Sequence, residues 1–166
     1  MPPPLTDYEH DRGLPAVTPA TAIWVRGTLV AIALVLTAVF GIALWLDPYR
    51  SDGSARSMET HRQLGLPPCT FFAVTGYPCP ACGMTTSFAL LVRGDVANSA
   101  RANYVGTMLA AFGLVLIPWC VTGALTGRTP FIRSPERALA VAVIGFLTLM
   151  LLRWMIVVGL LLGRTV

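Results

Sequence analysis

Residues 27–46 read GTLVAIALVLTAVFGIALWL, twenty positions without a charge or a proline. A bilayer's hydrocarbon core is about 30 Å thick and a helix rises about 1.5 Å per residue, so about 20 apolar residues cross it. This run reads as a transmembrane helix. Trp24, Trp45 and Tyr49 bracket it, at the depth where aromatic side chains anchor a span between lipid and water.

Outward from this run, two further stretches have the same character. YVGTMLAAFGLVLIPWCVTGALTG at 104–127 is also uncharged, and Pro118 is expected to kink it, since lipid-embedded helices tolerate proline. ALAVAVIGFLTLMLLRWMIVVGLLLG at 138–163 is interrupted only by Arg153, and its length suits a tilted crossing. Hydrophobic residues make up 55% of the 166-residue chain and charged residues only 12%, a balance that departs from water-soluble domains. The expected fold is therefore all-α, an integral membrane protein with three transmembrane helices packed in lipid. Residues 1–22 are Pro-rich and lack apolar periodicity, so a disordered tail is expected there, followed by a single membrane domain over 23–166. The first apolar run lacks the short charged head and the cleavage site of a signal peptide and is read as retained.

All twelve basic residues are arginine, and the net charge is +4. RTPFIRSPER at 128–137 and Arg26, just before the first span, concentrate positive charge on one side. By the positive-inside rule that side, with the N-terminus, is cytoplasmic. The connection 47–103 then faces outward. The arginines form no continuous patch, so nucleic acid is not an expected partner; the bilayer is, together with a membrane-protein partner or a second copy of the chain. Neither a Ser/His/Asp set nor an HExxH helix is present, and no carboxylates line the spans, which argues against hydrolase or autonomous transporter chemistry.

The connection 47–103 is the only long one, and connections of this length commonly carry function. Its first part, DPYRSDGSARSMETHRQLG at 47–65, is polar and turn-rich. Its second part is apolar but divided by proline and glycine, and MTTSFALLV at 84–92 is too short to span. A short amphipathic helix, interfacial or re-entrant, is expected at 84–92, ended by Arg93-Gly94, with Asp95 opening another helical segment through 103.

Just ahead of that helix lies YPCPACGMTTSF at 77–88, with a Cys-x-x-Cys pair at Cys79 and Cys82 and a third cysteine, Cys69, upstream. Pro80 is expected in the first helical turn, where its missing N–H costs nothing, and the helix N-terminus would then stabilise a Cys79 thiolate. Three chemistries are open. In one, Cys79 attacks, Cys82 resolves and Cys69 passes a disulfide onward, in an outward-facing oxidising compartment. In the second, Cys69, Cys79 and Cys82, with His61 as a fourth ligand, hold zinc or another soft metal. In the third, the cysteines form a structural disulfide or are small buried groups that let a tight turn pack. Without a thioredoxin-like βαβ pattern, the redox reading rests on the cysteines alone. Cys120 lies too deep in the second span to meet the others and reads as a packing residue. His10 falls in the N-terminal tail and reads as solvated.

Arg153 needs a partner, because a charge near the middle of a span costs at least ~2.5–3.5 kcal/mol. Two compensations are open: a hydrogen bond to broken backbone in the 84–92 element or an ion pair with Asp95, or snorkelling of its side chain to the interface. Gly123-x-x-x-Gly127 and Gly159-x-x-x-Gly163 have the spacing of close helix contacts and permit oligomers.

Cys69, TGYPCPACGMT at 75–85, Arg93-Gly94-Asp95 and Asn103 before a span together resemble a family of small bacterial inner-membrane proteins known only as a domain of unknown function. Its motif is Cys-Pro-x-Cys-Gly-x-Thr-Arg. Cys79, Pro80, Cys82, Gly83 and Thr85 fit that motif, and an arginine in the last helix, here Arg153, is similar too. Thr86 replaces the family's arginine, removing a cation able to stabilise a thiolate or bind an anion, and Tyr104 replaces a proline. The resemblance implies a bacterial inner-membrane setting and treats the cysteine loop as one unit. It implies no reaction and no cofactor.

Overall fold

The computed structural model describes residues 19–127 and 135–163. The fold is all-helical: α1 (Pro19–Trp45), a 3-10 turn (Thr60–Leu64), α2 (Thr70–Thr75), α3 (Met84–Leu91), α4 (Val96–Thr126) and α5 (Pro135–Leu162). Among the described residues the only β feature is an isolated bridge between Tyr49 and Ala55. Three segments, Ile23–Trp45, Val96–Thr126 and Ala140–Leu162, are long and apolar enough to cross a membrane. Residues 1–18 of the expected disordered tail lie outside the described residues. The backbone of 19–22 already belongs to α1, which begins on a proline, a residue whose fixed φ suits a first helical position.

α1 and α4 form the central pair. Leu29 and Ala33 of α1 bury Cys120 of α4. Farther along, Gly113 brings the α4 backbone so close to Phe40 that an added Cβ would sit 3.2 Å from its ring. The small residue permits the approach that dispersion forces need where lipid supplies no hydrophobic drive. Each helix of the pair ends beside an arginine. Arg93 donates to the Ala43 carbonyl at 3.0 Å and the Leu44 carbonyl at 2.6 Å, at the end of α1. At the opposite end of the bundle, the Arg26 guanidinium lies against Gly127, where α4 stops. Cations at helix C-termini meet the carbonyls that no helical N–H reaches and the negative end of the dipole.

α4 is two limbs. Its departure from helical dihedrals falls at Asn103 (φ −161°, ψ 102°), while Pro118 lies inside the lower limb. The break falls at Asn103, where the sequence divides a segment ending at 103 from the span that starts at 104, and the cause is a cap. Asn103 has extended backbone, and its Oδ1 accepts from the Gly106 N–H at 3.0 Å, the bond an N-cap makes to the third helical residue. Asp95 caps the upper limb in the same way, accepting from the Asn98 N–H at 3.2 Å.

α3 sits in the crook of this break. Gly106 faces Met84 and the Ser87 hydroxyl with no room for a side chain, and Ser99 donates to the Ser87 carbonyl at 2.8 Å. Phe88 of α3 stacks on Phe40 of α1, with centroids 5.6 Å apart. Of the three apolar helices α5 is the least buried. Its half-buried positions Phe146, Met150, Arg153, Trp154, Val157 and Val158 recur at helical spacing along one stripe, so a single face meets the bundle.

A candidate thiol site at the head of the bundle

The three cysteines of the connection converge. The sulfurs of Cys69, Cys79 and Cys82 all lie within 4.8 Å of one another, and those of Cys79 and Cys82 are 3.1 Å apart. The Cys79 N–H also donates to the Cys82 sulfur at 3.2 Å. Local sequence explains the pair. The Cys82 N–H bonds to the Cys79 carbonyl at 3.0 Å and the Met84 N–H to the Ala81 carbonyl at 3.1 Å, two consecutive turns that fold the thiols toward each other.

These turns correct one expectation. Pro80 lies in the turn and not in the first turn of α3, which begins at Met84 after Gly83. Cys79 therefore precedes the helix and is not at its N-terminus. Gly83 makes the entry possible. Its φ is +83°, and an added Cβ would sit 2.6 Å from the Ala102 carbonyl oxygen and 2.8 Å from that of Ser57. A side chain there meets both backbone strain and collision.

Cys69 arrives from a separate element, as the residue preceding α2. The backbone N–H of Phe72, aimed at its sulfur, holds the Cys69 thiol below its usual range against the opposing pull of desolvation. Burial, reinforced by the Cys79 sulfur, pushes the Cys82 thiol up to about 12. A hydrogen bond donated to sulfur favours the thiolate, and burial disfavours it. The cluster therefore carries an acidic and a resistant thiol side by side.

The thiols open into a cleft of about 230 Å³ that Glu59, His61, Thr85 and Thr86 also line. His61 shares the cleft but falls outside the sulfur cluster, and its Nε2 lies 3.3 Å from the Pro67 carbonyl. Glu59 is the one described non-glycine residue with positive φ, at 71°, a conformation that costs energy and gathers at functional sites. Thr86 is fully buried and shares a 2.8 Å hydrogen bond with Thr60. This hydroxyl pair pins the 3-10 turn, and with it Glu59 and His61, to α3.

Two side-chain hydrogen bonds hold the cysteine turns, and a third ties α5 to α4 beside them. Asn103 Nδ2 donates to the Cys82 carbonyl at 3.1 Å. Trp154 Nε1 donates to the Pro78 carbonyl at 2.8 Å, and its ring meets Phe71 edge to face at 6.1 Å. Arg153 donates to the Ala102 carbonyl at 3.0 Å and lies 5.9 Å from the centre of the Tyr104 ring. The broken backbone that compensates Arg153 is thus the α4 break and not the 84–92 element. Its expected pairing with Asp95 is not formed, because Asp95 is taken up by the Asn98 side chain at 2.9 Å and by the Tyr49 hydroxyl at 3.2 Å. The sequence does not single out Trp154, and it marks Arg93 as the close of the short helix and not as a donor to the end of α1. Cys120 stands apart among Leu29 and Ala33.

Fold and site together define a class, an all-helical chain with three helices able to cross a membrane and a three-thiol cluster between the first two. Residues 69–117 match the model of a protein family of unknown function, DUF2752, over Cys69, the cysteine turns, α3 and most of α4. Searches of curated proteins and of solved structures find no match.

Proposed function

We propose that this chain is a thiol–disulfide component of a membrane, cycling Cys79 and Cys82 between dithiol and disulfide and exchanging with Cys69 or with a partner protein's thiols. The observation that carries this reading is the 3.1 Å approach of the Cys79 and Cys82 sulfurs with a third sulfur inside 4.8 Å. A structural disulfide needs two sulfurs, whereas a relay needs a third within reach. The thiol acidities favour Cys69 as the group that attacks, since the thiolate is the nucleophile. This transfers to Cys69 the role that the sequence assigned to Cys79.

The setting proposed for this chemistry is a bacterial inner membrane, with the N-terminus cytoplasmic and the cysteine cleft outward. Arg26 packs against Gly127, so the arginine-rich 128–137 stretch departs from the same end of the bundle as Arg26. The thiols lie at the other end, where an oxidising compartment sustains disulfides.

One observation favours a second reading. Three thiols converging beside Glu59 and His61 are a donor set for zinc or another soft cation, which takes thiolates at about 2.3 Å and a fourth ligand from imidazole or carboxylate. A thiol count with metal analysis on purified protein, before and after mild reduction, separates the two. The redox reading expects two thiols that emerge only on reduction. One metal ion per chain, with protected thiols that chelation releases, would replace it with the metal reading.

A further inference from the structure

A second cleft, of about 280 Å³, lies between α1 and α3 and is lined by Val39, Ile42, Ala43 and Leu46 with Met84, Thr85 and Phe88. Met84 and Thr85 line the thiol cleft as well, so the first turn of α3 is the wall common to both. One cleft is apolar and opens between two helices of the bundle, while the other holds the sulfurs. Among the described residues the Thr85 hydroxyl has no hydrogen-bond partner, although the neighbouring Thr86 and Ser87 hydroxyls are both bonded. A donor is thus left free at the junction of an apolar slot and a dithiol.

We propose that this slot takes the head of a lipophilic quinone, which accepts the electrons of the thiol pair. The proposal rests on the redox reading above and supplies what that reading lacks, an acceptor. Its occupant has to be apolar enough to enter from the bilayer, carry an oxygen able to accept from Thr85, and take up two electrons beside a sulfur pair. An acyl chain meets only the first condition. The volume lies near the lower limit of ligand pockets, about 300–1,000 Å³, and suits one substituted ring with its tail left in lipid. In the reaction the S–H bonds of Cys79 and Cys82 break and one S–S bond forms. The two electrons and two protons released convert both quinone carbonyls to the hydroxyls of a hydroquinone. Thr85 acts as a positioning residue that orients one carbonyl.

The test uses the full chain in detergent, reduced with a small dithiol, and follows decylubiquinone reduction by its ultraviolet absorbance. Thr85→Val is expected to slow dithiol-dependent reduction at least tenfold, Thr85→Ser to restore it, and Ile42→Trp, which fills the slot from α1, to raise the quinone KM. Ile42→Trp, which lies outside the thiol cleft, is expected to exchange disulfide with the dithiol at the parent rate. Exchange without quinone reduction above a Cys79→Ser background would overturn the quinone and leave the redox reading standing. Absence of exchange would overturn both. Reduction at equal rates by the parent, Thr85→Val and Ile42→Trp would mean chemistry at the open thiol cleft with the slot filled only by lipid, and would also overturn the proposal.

Discussion

The cysteines differ because of what their sulfurs face. Cys69 meets the first backbone N–H groups of α2, which lower its thiol pKa, while Cys82 is packed between the Cys79 sulfur and the α3 entrance and rises to about 12. As pH rises, the Cys69 thiolate is the earlier of the two to form, whereas Cys82 stays protonated across the range in which proteins are handled. Among the three clustered thiols, alkylation by iodoacetamide should therefore label Cys69 before Cys82, with a rate for Cys69 that levels off at lower pH than a free thiol's. Peptide mass spectrometry over a pH series reads the order directly. A rate profile for Cys69 that matches free cysteine would remove its role as the attacking group. The three cysteines are legible in the sequence, but Pro80 is read there as part of the helix, which would put Cys79 at the helix N-terminus. That placement fails for a physical reason: the positive φ of Gly83 ends the turn before the helix starts at Met84.

At the level of elements, the joint between the limbs of α4 does the positioning. Asn103 caps the lower limb through Oδ1 and grips the Cys82 carbonyl through Nδ2, so one buried carboxamide couples helix geometry to the thiol turn. Asn103→Ala should cost about 1–2 kcal/mol for the cap, with a further 1–3 kcal/mol as a rough figure for buried groups left unpaired. Asn103→Asp keeps the acceptor and loses the donor, so it should retain most of the stability while altering thiol exchange. Thermal unfolding in detergent, compared with disulfide exchange rates, tests that split; equal loss of both in the two variants would mean that Asn103 serves the helix alone. Hydropathy made the long helices legible, since twenty uncharged residues have few alternatives in lipid. The joint was legible in place, since the sequence ends one segment at 103 and starts the span at 104, but not in cause. An asparagine with a partner on another element gives the chain a cap to stop and restart on, while the span tolerates Pro118 within it. The 3-10 turn and α2 were the least legible, being short and fixed by contacts such as the buried Thr60–Thr86 pair.

Across the whole molecule, α5 reaches the cysteine loop through two adjacent residues. Arg153 satisfies the Ala102 carbonyl at the α4 joint, and Trp154 satisfies the Pro78 carbonyl beside Cys79. The energetics favour this arrangement: a charge inside a span needs a partner, and a carbonyl at a helix break needs a donor, so each resolves the other's cost. Arg153→Leu restores hydrophobic continuity and should insert at least as readily as the parent, yet it removes the hydrogen bond to the Ala102 carbonyl. Trp154→Phe keeps the ring that meets Phe71 and removes only the donor. If these contacts clamp the loop onto the bundle, each variant should speed Cys79 and Cys82 modification by a membrane-impermeant maleimide severalfold. Because both act on one docked face, their effects should be less than additive when combined. Unchanged accessibility in Arg153→Leu would mean that the arginine only finds a convenient carbonyl. The cysteine turns would then be held by the hydrogen bonds that Asn103 and Trp154 donate to the Cys82 and Pro78 carbonyls.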